Sequence, residues 1–152
     1  MNTWILQGNA TKFRVAEYVQ HTLIVWRILE TYECNPVTQM HPGDEVYIWR
    51  ANEGDPPKGG IIARGIIASR PGHHDDPSAY ELWIDLTERD IDPGLTVKIE
   101  IDSQGFISRT AMKDNHILKN LPILEFWRKT TYLVSDQEQK LELQRQWNQA
   151  KR

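Results

Sequence analysis

Only one cysteine, Cys34, stands among 152 residues. A lone thiol closes no internal disulfide and builds no multi-thiolate metal site, which fits a reducing compartment. Long apolar runs are also missing. None approaches the roughly 18 residues that a membrane span needs. The first nine residues have neither the basic flank nor the apolar core of a signal peptide. A cytoplasmic protein with no membrane partner is therefore expected. Net positive charge is missing too, since the chain sums to -3. Proteins that hold nucleic acid mainly by counterion release are usually basic overall. Finally, no nucleophile elbow, P-loop, Rossmann glycine pattern or paired metal motif occurs. The expectation is no catalytic residue, no metal and no cofactor.

What is present starts with size and composition. Hydrophobic residues make up 39% and charged residues 26%, the composition of a folded globular chain. At this length one domain over residues 1–152 is expected. Charge is unevenly spread: residues 109–152 hold nine Lys/Arg against five Asp/Glu, so the acidic excess lies in the first 108 residues. Six tryptophans stand out: Trp4, Trp26, Trp49, Trp83, Trp127 and Trp147. A single tryptophan is by default a packing residue. Two sharing a loop-rimmed pocket would mean something else.

Short strands dominate the pattern. Residues 4–7 read as a strand ended by Gly8-Asn9. Residues from about 12 to 21 allow a short helix, with Thr11 as its cap. Residues 23–28 are β-rich. Pro42 and Gly43 are spaced as a type II turn prefers, and residues 45–50 follow as a strand. Residues 52–60, rich in glycine and proline, form a loop. Residues 61–69 form a strand in which Gly65 marks a bulge or bend. Residues 81–86 and 96–102 are read as two further strands. The Ser135–Glu138 spacing of a capping box starts a helix running to about Gln149, with Leu141 and Trp147 toward the core. Five or six short strands with helices near both ends imply an α+β fold built on one small curved barrel.

Titratable clusters offer little catalysis. His73-His74-Asp75-Asp76 lies in a loop, where adjacent histidines are usually solvated rather than metal-bound. Asp85, Glu88, Asp90 and Asp92 read as a solvated strand-to-turn segment, not an acid–base pair.

Four segments in order carry a resemblance: Trp4-Ile-Leu-Gln-Gly-Asn9, Val25-Trp26-Arg27, Pro42 to Ala51, and Gly59 to Gly65. Thr131-Tyr132-Leu133 before the last helix adds to them. Together they resemble the EVE domain family of the PUA-like superfamily, relatives of the YTH readers of methylated RNA. The set is most similar to EVE modules of modification-dependent restriction systems. The resemblance implies a PUA-like small curved β-barrel of five to six strands with flanking short helices. It also implies a pocket for a flipped, modified base, with 5-methylcytosine or a related modified cytosine in DNA as the expected ligand. By position, Trp26 and Trp49 become the stacking walls, and Gln7, Gly8 and Asn9 the turn that contacts the base edge. Ala51 and Asn52 border the opening. Trp4, Trp83 and Trp127 are assigned to the core, and Trp147 is unassigned. The implied partners are DNA with a modified base, or less directly RNA, and a nuclease or other restriction component.

Physical chemistry supports this division. Stacking on an aromatic side chain contributes roughly 1–3 kcal/mol per base, and flipping costs a few kcal/mol, so two walls and edge hydrogen bonds are needed. Carboxamides such as Gln7 and Asn9 offer donors and acceptors together. Arg50, Lys58, Arg64 and Arg70 lie near the implied opening and are expected phosphate contacts, positioning the strand without specifying it. Two other readings compete. An ASCH-like nucleic-acid-processing enzyme would want a lysine or acid–base pair in the pocket. A protein-interaction module would use the exposed aromatics for a peptide.

Overall fold

The computed structural model describes residues 1–31, 34–51 and 58–152. Its strands are β1 (Thr3–Gly8), β2 (Leu23–Arg27), β3 (Glu45–Arg50), β4 (Gly60–Ile67), β5 (Thr96–Ser108) and β6 (Thr131–Val134). The helices are α1 (Val15–Tyr18), α2 (Pro36–Gln39), α3 (Leu86–Arg89), α4 (Arg109–Asp114), α5 (Pro122–Glu125) and α6 (Gln137–Ala150). The six strands form one sheet in the order β2-β5-β4-β3-β1-β6. β1 and β3 run parallel in its interior, and every other pair is antiparallel.

The sheet curls because its longest strands are bulged. Register slips occur between Ile48 and Trp49 against β4, and around Ala63 and Gly65 against β5. Each slip bends the strand and adds twist. Gly65 is needed at its slip, because a Cβ there would stand 2.5 Å from the Glu100 carbonyl oxygen. The result is a curled half-barrel with short helices on its flanks, as the sequence implied.

Both faces of the sheet are covered, so β1 and β3 are buried without alternation. Trp4, Leu6, Ile48 and Ile99 pack with α1 and Trp26 on the concave side. Ile5, Tyr47, Trp49 and Ile61 pack with Met112, Leu143 and Trp147 on the other.

Three local expectations are corrected. Residues 81–86 are not a strand: a 3₁₀ turn, Pro77–Leu82, leads into α3. The Asp76 and Asp85 side chains accept from the first backbone amides of each, and such local bonds outcompete a ladder. α1 is one turn long and its N-cap is Arg14, not Thr11. α6 is capped by Asp136, one residue past Ser135; Leu141 is exposed, and Leu143, four positions before Trp147 and on its face, is buried with it.

Candidate base-binding pocket

β1 and β3 end side by side, with Gln7 opposite Trp49 and Gly8 opposite Arg50. Beyond them opens a cavity of about 720 Å³. Gln7, Asn9, Trp49 and Ala51 line it from the strand ends, Arg109 from the start of α4, and Trp127 to Thr130 from the segment between α5 and β6. Its volume falls in the range of small-molecule pockets.

The segment carrying Trp127 is held from below. The backbone N–H of Gln7 donates to the Thr130 carbonyl at 2.9 Å, and Gln7 Nε2 donates to the carbonyls of Trp127 (2.8 Å) and Lys129 (2.6 Å). The Tyr132 hydroxyl accepts from the Lys129 amide at 3.0 Å and donates to the Phe126 carbonyl. Burial pushes that hydroxyl up to about 12, against the pull of the Lys129 N–H, so it stays protonated and keeps donating. A segment fixed at four points is preorganised before any ligand arrives.

Hydrogen bonds also fix the orientation of two carboxamides. With both Nε2 hydrogens of Gln7 spent on carbonyls, its amide cannot flip, and Oε1 is the group left for a ligand. Asn9 is fixed the other way: its Oδ1 accepts from the amide and hydroxyl of Thr11, at 3.0 and 2.7 Å. That leaves Nδ2 to donate. The Thr130 hydroxyl is buried and has no hydrogen-bond partner among the described residues. A buried hydroxyl without a partner is costly, and in a cavity wall it is ready for a polar ligand atom.

Two aromatics border the same cavity in different ways. Trp49 is 2% exposed and belongs to the core, re-aimed by the bulge beside it. Trp127 is 53% exposed, with the Arg128 guanidinium over its ring at 5.1 Å. Arg109, Arg128 and Lys129 are all cations, and no carboxylate lines the cavity among the described residues.

The structure thus brings Gln7, Asn9, Trp49 and Ala51 together and places other expected residues elsewhere. Trp26 is a core residue, 7% exposed and stacked on Tyr18 at 6.4 Å, and is absent from the cavity wall. Gly8 is a packing residue: a Cβ there would meet Val15 at 2.7 Å and the Trp26 ring at 2.9 Å. Trp26 and Gly8 together support the end of β1 from the concave side. Asn52 lies outside the described residues. Arg50 and Lys58 line a neighbouring groove, joined by a 3.2 Å bond from Arg50 Nη1 to the Lys58 carbonyl. Arg64 is occupied elsewhere, bridging buried Glu45 (2.7 Å) and Asp102 in a groove beside Trp147. Arg70 is exposed beyond the far end of β4. Trp83 is half-buried against Phe13.

Sequence reasoning missed Trp127, Arg109, Arg128, Lys129 and Thr130. The signal was the run Phe126-Trp127-Arg128-Lys129, two aromatics followed by two cations inside the basic third of the chain. His74, in the histidine–aspartate run, is used locally: its Nε2 lies 3.2 Å from Ser69 Oγ and 3.0 Å from the Arg70 carbonyl.

No family model matches the chain, and no curated protein matches it. Solved structures do. A hypothetical protein from Leishmania major superposes with a TM-score of 0.69 at 18% identity, over 98% of this chain and 96% of that one. The human THYN1 protein in complex with 5-methylcytosine containing DNA gives 0.66 at 16% identity, over 94% and 95%. A mutant of the ASCH protein of Zymomonas mobilis gives 0.56 at 9% identity, over 95% and 98%. No helix among the described residues is long and apolar enough to cross a membrane. The chain has the α+β, PUA-like fold that these structures share.

Proposed function

We propose that the chain is an EVE-type binding module that takes a flipped, modified base, 5-methylcytosine or a related cytosine in DNA, into the cavity at the ends of β1 and β3. The observation that carries this is the composition of that cavity. Among the described residues, two tryptophans, two carboxamides with fixed orientation and an unpartnered hydroxyl meet three cations and no carboxylate. A flat polar ring carrying a phosphodiester suits each of these groups. Gln7 Oε1 would accept from an exocyclic amino group and Asn9 Nδ2 would donate to a ring nitrogen or carbonyl, the polarity of an aminopyrimidine edge. A neighbour of the same fold is seen with 5-methylcytosine containing DNA.

The module itself then binds without turnover, and a nuclease partner of a restriction system would supply any cleavage. The ASCH neighbour keeps the enzyme reading in view. Its natural site would be the groove of buried Glu45, Tyr47 and Arg64. Burial, and next the Glu45 carboxylate, push the Tyr47 hydroxyl well above its ordinary value, which suits a hydrogen-bond donor and not a base.

The test is titration of Trp fluorescence with matched oligonucleotides carrying cytosine or 5-methylcytosine, as DNA and as RNA. Tighter binding of the methylated DNA is expected. A methyl group contributes on the order of 1 kcal/mol, so the preference should be about fivefold. Equal affinity for all four substrates refutes the reading, and preference for the RNA pair moves it to modified RNA.

A further inference from the structure

A second groove, of about 360 Å³, lies beside the cavity. We propose that it binds the nucleotide next to the flipped base, so that the chain grips an extruded single strand over at least two nucleotides. This rests on the base-binding reading of the first cavity.

The two sites share one ridge. Trp49 and Arg50 are consecutive on β3 and so point to opposite faces. Trp49 lines the base cavity and Arg50 the groove, while Ala51 borders the cavity beyond them. Across the ridge the Arg109 amide donates to the Gly59 carbonyl at 2.9 Å, which ties the cavity wall to the residue after Lys58.

The groove is built for a base and a phosphate. Phe106 lines it and is 37% exposed, although its strand neighbours Gly105 and Ile107 are buried. Alternation along β5 sends Ile107 into the second core cluster and Phe106 to the groove. Arg50, Lys58 and Arg152 line it, and no carboxylate side chain does so among the described residues. Arg152 is brought there by Gly105. A Cβ at Gly105 would stand 2.6 Å from the Ala150 carbonyl, so only glycine lets the end of α6 approach β5. The Arg152 amide then donates to the Gln104 carbonyl at 2.7 Å. An exposed aromatic ring among cations is the arrangement that holds single-stranded nucleic acid, by stacking plus phosphate attraction. Arg109, Arg128 and Lys129 of the cavity and Arg50, Lys58 and Arg152 of the groove give each site its own set of cations for a phosphate.

The experiment compares two probes on the whole chain: 5-methyl-deoxycytidine 5′-monophosphate, and a single-stranded deoxytrinucleotide with 5-methylcytosine at its centre. Phe106→Ala should weaken the trinucleotide by about 5- to 150-fold and leave the mononucleotide within about twofold of wild type. Arg152→Gln, at an exposed position, should weaken the trinucleotide in the same selective way and steepen no melting curve. Trinucleotide affinity unchanged in both variants overturns the inference, as does equal loss for both probes, which would mean damage to the first cavity. Should the wild type bind the mononucleotide as tightly as the trinucleotide, the groove is refuted and the base cavity stands. Should it bind only the trinucleotide, with Phe106→Ala abolishing that, the groove stands and the base cavity falls. Binding of neither probe overturns both.

Discussion

Trp127→Ala tests the proposed stacking role of an exposed tryptophan in the cavity wall against the packing role of Trp26. The ring is 53% exposed and belongs to no core cluster. Its one ring contact among the described residues is the Arg128 guanidinium at 5.1 Å, and an exposed contact of that kind is worth about 0.5–1 kcal/mol. Surface truncations away from special features otherwise stay within about 0.5 kcal/mol. Stability should therefore fall by less than about 1 kcal/mol. Binding should suffer more, because stacking of one base contributes about 1–3 kcal/mol, or roughly 5- to 150-fold in affinity. Trp26→Ala should show the reverse profile. That ring is buried against Tyr18 and under Gly8, and its truncation should cost about 3–5 kcal/mol of stability, a large part of the roughly 5–15 kcal/mol a domain possesses. The assay is urea unfolding of both variants beside titration with a 5-methylcytosine oligonucleotide. Wild-type affinity in Trp127→Ala, or stability lost in it as in Trp26→Ala, would refute the reasoning.

Gly8→Ala should lower stability by about 1–3 kcal/mol through overpacking against Val15 and Trp26, and an unchanged urea midpoint would contradict the close approach. Gln7→Leu removes two hydrogen bonds to the Trp127 and Lys129 carbonyls, each worth about 1 kcal/mol. Amide hydrogen exchange at residues 127–130 should accelerate, and unaltered exchange would show that the segment does not depend on Gln7. Arg145 first, then Asn115, hold the Glu142 carboxyl at about 2, below its ordinary value. A depressed carboxylate contributes stability that is present above the unfolded value near 4.5 and disappears as pH falls through 2. Melting temperature should thus drop between about pH 4.5 and 2, and Glu142→Gln should flatten that drop; identical profiles would refute it.

The strands with two buried faces were the easiest to read. β1 and β3 are compact apolar runs bounded by turn residues, and both lie within a residue of their expected limits. The bulge at Gly65 was legible for the same reason, since an isolated glycine in an apolar strand has few explanations. Residues 81–86 misled because Trp83 and Ile84 carry strand propensity. Their fate was decided by Asp76 and Asp85 capping short turns, a competition between side chain and ladder that propensity does not register. Leu141 misled because six positions from Trp147 is about 240° around a helix, whereas Leu143, four positions away, shares the face of Trp147. In the cavity, Gln7, Asn9, Trp49 and Ala51 were legible because they sit on the strand ends that the resemblance located. Trp127 was not. Its segment is held at the cavity by Tyr132 nearby and by Gln7, some 120 positions earlier, and nothing local in the sequence encodes the Gln7 contacts.

Net charge misleads about binding here because the acids and the cations do different work. Asp44 is buried and accepts from the Trp4 indole and the Asn2 and His41 amides. Asp76 accepts from the Tyr18 hydroxyl, and Asp85 caps α3. Glu45 and Asp102 neutralise Arg64. These carboxylates satisfy donors inside the fold and lie away from both lined sites. Arg109 and Arg128 pair with no carboxylate among the described residues, so their charge is free to act on a ligand. At physiological salt a charge acts over about 8 Å, which makes the local rim, and not the whole chain, the field that a phosphate meets. If the three cations of the cavity each neutralise one phosphate, log affinity for a single strand should fall with log salt at a slope near -2, about -0.7 for each contact. Arg109→Gln should make that slope shallower by about 0.7 while leaving any preference for the methylated base intact, because phosphate contacts position and do not specify. A slope near zero, measured by fluorescence titration across salt concentrations, would mean that the cations do not meet phosphate and that stacking alone holds the ligand.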